Sequence, residues 1–310
     1  MNYYLEGYGE LEGVTLIEKY DSGELEYFKV EEINRIIIND MCYIPRYTID
    51  DERKKEYSAI KLYKSGKIKS LDLEKKTKIS VAAGVFYVEK VVFYESGELR
   101  RLFPLNGRIN GYWSEDDEYS LAEEYSFNFK FSEFKAKVIS IQLFKNENIK
   151  SITLWPKEKI KIKHNDKVIN VRTGFSAYED GSLKTCEPDN PVKIYTPIGE
   201  IEAYDKNSIG IHGENNSLKF NKDGSVSALT TSSNIIKIIN RKGQAMIYSP
   251  KEIFLYANSE VKDLITVTLQ FTDDEVIING SYKYKIKENS FIIEQFGEKK
   301  LTLTGDKLMK

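Results

Sequence analysis

The sequence predicts an all-β protein, and three observations support this fold class. The 310 residues include 21 tyrosines and 15 phenylalanines, and aromatic residues fit the pleated, half-buried surface of a sheet. A short glycine-centred motif recurs along the chain, and alternating apolar and polar residues follow several of its copies. We therefore expect an extended antiparallel array of β-hairpin repeats, either a single sheet or an irregular β-solenoid, with one short helix and a C-terminal β cap.

The recurring motif runs aromatic, polar, Ser or Asp, Gly, polar, aliphatic. Its full copies are Tyr20–Leu25, Tyr63–Ile68, Tyr94–Leu99 and Tyr178–Leu183, with an extra residue in Phe220–Val226 and no glycine in Phe144–Ile149. A Ser-Gly or Asp-Gly pair between apolar runs supplies the positive φ that a tight turn needs. Each copy therefore predicts one antiparallel hairpin, and the uneven spacing of the copies predicts an irregular array.

A second strand–turn–strand unit lies between these copies, at Ile160–Val171, Ile194–Tyr204 and Ile236–Ile247. Alternation returns downstream of the turns, as in Ile68–Leu73 and Ile149–Leu154. Alternation of this kind predicts strands with one covered face and one solvated face.

Helix is scarce in this pattern. The best candidate is Ser114–Tyr125, where Ser114 can cap the helix and acidic residues fill its first turn. The segment Glu31–Ile38 fits either a short helix or a strand. The charged run Asp50–Glu56 has no apolar residue and predicts an exposed loop or linker.

The last sixty residues predict a meander of four short strands, within 264–271, 275–278, 282–286 and 290–293. These patterns divide the chain into N-terminal hairpin repeats over 1–49, a charged loop or linker over 50–57, the hairpin array over 58–250 with its helix near 114–125, and a C-terminal meander or cap over 251–310.

Two stretches pair the turn motif with a second glycine-containing hairpin. Phe93–Leu99 leads to Leu105–Trp113, and the spaced glycines of Gly9–Gly13 precede Tyr20–Leu25. This pairing resembles the MORN-type β-hairpin repeats of bacterial antitoxin-like proteins. The run Phe103–Trp113 is also similar to a group of uncharacterised β-repeat proteins from anaerobic bacteria. The resemblance covers these two stretches well and the other copies only through their turns, and residues from about 250 onward do not show it. It implies a long antiparallel sheet that presents one broad face to a partner.

The sequence lacks the motifs of the common catalytic sites: the phosphate-binding loop, the dinucleotide fingerprint, the zinc-protease helix and Cys-x-x-Cys. Two histidines, His164 and His212, are too few for a multi-histidine metal site. His212 and Glu214 are spaced to share one side of a strand, but a histidine beside a turn is the simpler interpretation. We assign no catalytic, cofactor-binding or metal-ligating residue and expect no cofactor.

One segment contains residue types that are suited to ligand binding. Tyr112 and Trp113 stand next to Glu115 and Asp116, and carboxylates beside an aromatic platform suit carbohydrate binding or cleavage. Consecutive acidic residues in the first turn of a helix also complement its dipole, and we favour that structural interpretation. The four residues are kept as candidate ligand-binding residues.

Net charge and targeting signals indicate which partners and which compartment to expect. The 46 basic and 48 acidic residues leave a net charge of -2, which argues against a nucleic-acid partner. The N-terminal residues show no targeting pattern and no stretch is long and apolar enough for a membrane span, so we expect a cytoplasmic protein. Cys42 and Cys186 are then expected to be buried thiols without a bridge.

The resulting hypothesis is a non-enzymatic binding or scaffold protein that presents an aromatic-rich sheet face to a protein partner. The alternative is a carbohydrate-binding or carbohydrate-active protein that uses Trp113 and its neighbouring carboxylates. A lysine-rich face that binds phosphates is a third hypothesis, suggested by alternating lysines such as those of Ile160–Lys163. Oligomeric state is left open.

Overall fold

The computed structural model of the chain describes residues 1–48, 53, 59–208, 216–254 and 262–297. The chain divides into two compact units. Unit 1 comprises Met1–Cys186 and Gly210–Asn216, and unit 2 comprises Glu187–Ile209 and Ser217–Lys310. The described residues are almost entirely β, with antiparallel strand pairs and one α-helix, which confirms the predicted fold class.

The strands that begin in unit 1 are β1 Tyr3–Leu5, β2 Gly9–Leu11, β3 Val14–Lys19, β4 Leu25–Val30, β5 Ile36–Ile38, β6 Met41–Tyr43, β7 Ile60–Leu62, β8 Ile68–Val81, β9 Gly84–Phe93, β10 Leu99–Phe103, β11 Glu124–Phe129, β12 Ser132–Leu143, β13 Ile149–Leu154, β14 Ile160–His164, β15 Lys167–Ala177 and β16 Leu183–Pro188. The helix α1 spans Glu115–Ser120.

The strands that begin in unit 2 are β17 Val192–Thr196, β18 Gly199–Ala203, β19 Leu218–Phe220, β20 Val226–Thr231, β21 Asn234–Asn240, β22 Ala245–Tyr248, β23 Lys251–Phe254, β24 Lys262–Ile265, β25 Val267–Phe271, β26 Glu275–Ile278, β27 Tyr282–Lys285 and β28 Asn289–Gln295. A 3-10 turn covers Ile286–Glu288.

Unit 1 is built on an antiparallel sheet in the order β3-β4-β7-β8-β9-β10-β12-β13-β15. One row of directly opposed side chains crosses all of these strands after β3 without solvent exposure. The row comprises Phe28, Ile60, Leu71, Val91, Leu102, Ile141, Ile152 and Phe175. Because opposed residues share a face, this row forms the continuous apolar core of the sheet.

The opposite face of the same sheet is polar, yet parts of it are also buried. Ser70, Gln142, Ser151 and Ser176 are each less than 5% exposed. Ser151 Oγ lies 3.4 Å from Gln142 Oε1, and the Arg101 guanidinium also donates to that amide oxygen. The predicted solvated face is therefore wrong at these positions. Gln142, Ser151 and Ser176 bond to other polar side chains instead of water.

Each predicted copy of the motif forms the same turn. The first residue donates its N–H to the carbonyl of the fifth, and the fourth donates its N–H to the carbonyl of the first. The copies begin at Tyr20, Tyr63, Tyr94, Phe144, Tyr178 and Asn221, and a further copy begins at Asn240. The fourth residue has positive φ throughout, including +103° at Gly97 and +64° at Glu147, which takes the place of the missing glycine. The aromatic Phe220 precedes its turn, so that turn contains no extra residue.

The turn tyrosines connect successive copies in unit 1. The hydroxyl of Tyr20 donates to the carbonyl of Leu62 at 2.8 Å, and that of Tyr63 donates to the carbonyl of Phe93 at 2.7 Å. The hydroxyl of Tyr94 makes the equivalent bond to Leu143, at 2.8 Å. Each acceptor is the residue just before the next turn, so the aromatic position of the motif fixes one repeat against the next.

The helix is shorter than predicted. It begins after the N-cap Ser114, as expected, but ends at Ser120. Tyr125 lies instead in β11, directly opposite Ala136 of β12. The apolar spacing of Leu121 and Tyr125 is therefore not helical, because sheet pairing with β12 takes over this segment. Of the two alternatives for Glu31–Ile38, the structure contains strand β5.

In unit 2, β19-β20-β25-β26-β27 form an antiparallel sheet, and β17 pairs with β18. A separate three-stranded sheet has the order β22-β21-β28. The predicted C-terminal meander is confirmed for β25, β26 and β27. It is wrong for the last strand, since β28 pairs with β21 instead of continuing the meander.

The prediction for the two cysteines is only partly correct. Neither cysteine is bridged, but Cys42 is exposed and only Cys186 is buried. His212, Glu214 and most of the charged run over 50–57 lie outside the described residues. Within the part of the chain that the structure describes, no helix has both the length and the apolar character needed to cross a membrane.

Candidate functional site

The candidate ligand-binding residues lie just before α1, at Tyr112 and Trp113, and in its first turn, at Glu115 and Asp116. Asp117 and the N-cap Ser114 form a capping box, since Ser114 Oγ accepts from the Asp117 N–H at 3.1 Å and Asp117 Oδ2 accepts from the Ser114 N–H at 2.9 Å. The bonds from Ser114 lower the pKa of the Asp117 carboxyl below its ordinary value. The acidic run therefore starts a helix, as the structural interpretation expected.

The four candidate residues have different environments. Tyr112 is 71% exposed, Glu115 is exposed, and Asp116 forms an ion pair with Lys157 at 2.6 Å. The indole N–H of Trp113 donates to Glu118 Oε2 at 2.8 Å. Trp113 makes no hydrogen bond to Glu115 or Asp116 among the described residues, so the partner of its indole is a carboxylate that the sequence analysis did not select.

Glu118 belongs to a buried ion cluster with Glu89 and Arg53. Arg53 donates from Nε to Glu118 Oε2 at 2.6 Å and from Nη2 to Glu118 Oε1 at 2.7 Å. It donates from Nη1 and Nη2 to the two oxygens of Glu89 at 3.1 and 2.8 Å. The side chains of Arg53 and Glu118 are 11% and 5% exposed. One guanidinium thus holds two carboxylates in bidentate geometry.

Backbone donors complete the cluster. The N–H of Gly107 donates to Glu118 Oε1 at 2.8 Å, and the N–H of Asn106 donates to Glu89 Oε2 at 2.9 Å. A Cβ on Gly107 would lie 2.1 Å from Glu118 Oε2, so only glycine fits this approach. The glycine in the Asn-Gly pair at 106–107 therefore serves a close contact with a carboxylate.

The charged groups of the cluster satisfy one another. Burial disfavours the charged form of Arg53, but the hydrogen bonds that it donates to Glu118 and Glu89 outweigh burial and raise its pKa above the ordinary value. Both carboxylates already accept several N–H groups, and a general acid or base needs a carboxyl group that can exchange its proton with a ligand. This arrangement suits an anchor between chain segments. The exposed-loop prediction is accordingly wrong at Arg53.

A surface groove of about 360 Å³ lies beside β11 in unit 1, near the turn that begins at Tyr178. The aromatic rings along it pack on one another, with Phe127 and Phe129 lying 5.2 and 6.2 Å from Phe134. Lys130 Nζ donates to the carbonyl of Asp180 at 2.6 Å. Within the described ranges, no group of three or more His, Cys, Asp or Glu side chains is placed to hold a metal ion.

A different surface stands out in unit 2, on the three-stranded sheet. The central strand β21 buries Ile236 and Ile238 on one side, at 0% and 1% exposure. Its other side carries Lys237, which lies directly opposite Ile247 of β22 and Ile292 of β28. We call this second side the isoleucine face. Its members are Ile235, Lys237, Ile239, Ala245, Ile247, Ser290, Ile292 and Glu294.

The isoleucine face is open to solvent. Ile247 is 64% exposed and Ile292 is 40% exposed, while Ile235 and Ile239 are half-buried. Lys237 forms no ion pair or hydrogen bond in the part of the chain that the structure describes. An apolar ring around one unpaired ammonium is an unusual surface for a protein with no partner.

Sequence reasoning missed this face for a physical reason. The run Ile235–Ile239 is apolar on both sides of the strand, and such runs usually indicate a strand buried on both faces. The strand β28 that completes the sheet is about fifty residues away in the chain and was assigned to the meander. The remaining signal was Lys237 itself, since a lysine in the middle of a doubly buried strand would be costly.

No family model, no curated protein and no solved structure matches the chain. The resemblance to MORN-type repeats therefore stays a prediction, and a function has to be inferred from the surfaces of the chain itself.

Proposed function

We propose that this chain is a non-enzymatic binding protein and that the isoleucine face of unit 2 receives a protein partner. The observation that carries the proposal is the exposure of Ile247 and Ile292 on either side of Lys237. The binding face is aliphatic, where the sequence analysis expected an aromatic-rich face. Protein surfaces of this kind are covered in the complexes that they form.

The energy available from this face suits a specific complex. Complete burial of an isoleucine side chain contributes about 1.5–3 kcal/mol, and the face contains four isoleucines that are exposed or half-buried. Part of that gain is offset by the entropy lost on association. The two most exposed side chains, Ile247 and Ile292, should therefore account for most of the binding energy.

The proposal can be tested by affinity purification from the cells that make the protein, followed by quantitative mass spectrometry. We expect Ile247→Glu to reduce capture of a partner at least tenfold, because it places a charge where an apolar side chain is buried on binding. Val168→Glu is the matched control, since Val168 is a similarly exposed aliphatic residue in unit 1.

Circular dichroism and thermal unfolding would verify that both variants are folded. Identical sets of captured proteins from the wild type, Ile247→Glu and Val168→Glu would contradict the proposal. Capture of the chain itself, lost only in Ile247→Glu, would identify a second copy as the partner, and sedimentation analysis would then give the oligomeric state.

A further inference from the structure

We infer that the partner places a carboxylate opposite Lys237, surrounded by aliphatic side chains that cover the isoleucines. This inference rests on the proposed function of the isoleucine face and specifies the chemistry of its partner. It follows from where the single cation of the face lies, from what surrounds it and from what it lacks.

Lys237 lies at the centre of the isoleucine face. Ile247 and Ile292 flank it on the two neighbouring strands, about 4.8 Å to either side. Ile235 and Ile239 flank it along its own strand, about 7 Å in either direction. A partner that covers these four side chains therefore also covers the stem of Lys237 and removes water from its ammonium.

An ammonium that loses water without gaining an acceptor is costly. Glu294 is the acidic member of the face, but it lies opposite Ile235, and it forms no ion pair with Lys237 in the described structure. Because no acidic residue of the described structure pairs with Lys237, we place the acceptor on the partner. A carboxylate is the group that compensates best, because an ion pair in a desolvated interface is stronger than a neutral hydrogen bond.

The same charge argues against a second copy of this chain as the occupant. A two-fold axis through the centre of the face would bring Lys237 against the Lys237 of the other copy, and like charges at an interface are destabilising. A partner with one acidic residue among aliphatic residues complements the face in both shape and charge.

The experiment is a selection of random twelve-residue peptides displayed on phage, performed on the full chain. Pools selected on the wild type are counter-selected on Ile247→Glu, so that only peptides that need the isoleucine face remain. We expect these peptides to share an Asp or Glu flanked by Ile, Leu or Val. A parallel selection on Lys237→Glu should replace the acidic residue with Lys or Arg.

Binding of the best synthetic peptide then measures the charge pair. Replacement of its acidic residue by Asn or Gln should weaken binding to the wild type about tenfold and leave binding to Lys237→Met unchanged. Peptides that depend on Ile247 but carry no acidic residue would overturn this inference and leave the proposed function standing. A failure to select any peptide that depends on Ile247 would count against both.

Discussion

Arg53 in unit 1 and Lys237 in unit 2 show two opposite uses of a cation in this chain. Arg53 is held by four hydrogen bonds to Glu89 and Glu118. Lys237 stands among isoleucines without an acidic partner in the described structure. The first cation has its complement within the fold, whereas the second has its complement, by our proposal, on another molecule.

The comparison separates charges that stabilise the folded state from charges that take part in binding. A buried charge that loses its partner destabilises the folded state, so variants at the Arg53 cluster should unfold more easily. A solvated charge on an open face contributes little to folding, so variants at Lys237 should affect only association. The following predictions test this division from the largest expected effect to the smallest.

Glu118→Ala should lower the free energy of unfolding by about 3 kcal/mol, a loss that no variant outside the Arg53 cluster should match. It removes the bidentate partner of Arg53 and also the acceptor for Trp113 and Gly107. Denaturant unfolding monitored by circular dichroism would measure the loss.

Asp116→Ala is the matched control for Glu118→Ala. Asp116 pairs with Lys157 at a similarly short distance, but both side chains are more than half exposed, so its loss should cost less than about 1 kcal/mol. Equal effects of the two variants would show that the Arg53 cluster is not the anchor that its geometry indicates.

The turn motif could be predicted from sequence because its determinants are local. Ser-Gly and Asp-Gly pairs restrict the backbone over four residues, and every copy forms the expected turn, even at Phe144 where Glu147 adopts the positive φ. The N-terminus of the helix was equally local, because Ser114 and Asp117 are three residues apart.

The ion cluster and the isoleucine face could not be predicted in the same way. Arg53 meets Glu89 and Glu118 across 36 and 65 residues, and nothing in the charged run over 50–57 marks its arginine, among seven charged residues, as one that is buried. The aromatic and acidic segment at Trp113, which the sequence did single out, lies beside the ion cluster. The carboxylate that contacts Trp113 is nevertheless Glu118, because the others start the helix or pair with lysine.

Gly97→Ala tests the turn geometry and should cost about 1–2 kcal/mol. Gly97 has a φ of +103° with only the Asn39 side-chain amide, at 3.9 Å, near an added Cβ, so the cost comes from backbone strain and not from a clash. Gly111→Ala is the control, since an added Cβ meets nothing within 4 Å there and its φ lies outside the left-handed range. Equal unfolding midpoints for the two variants would contradict the role given to Gly97.

Tyr94→Phe tests the bonds between repeats and should cost about 1 kcal/mol. The variant loses the hydroxyl bond to the Leu143 carbonyl but keeps the ring between Arg100 and Lys145. Tyr4→Phe serves as the control because the exposed Tyr4 has no hydroxyl bond in the described structure. A Tyr94→Phe variant as stable as Tyr4→Phe would show that the hydroxyl bonds do not hold the repeats together.

Lys237→Met should have the smallest effect on folding, within about 0.5 kcal/mol of the wild type by denaturant unfolding. The substitution keeps an unbranched apolar stem and removes a charge that stabilises nothing within the described fold. Arg53→Met makes the corresponding change in unit 1 and should cost about 3 kcal/mol, since it leaves Glu89 and Glu118 buried without their cation. A loss above 1 kcal/mol in Lys237→Met would mean that the ammonium serves the fold itself. The division between an internally paired cation and one reserved for a partner would then fail.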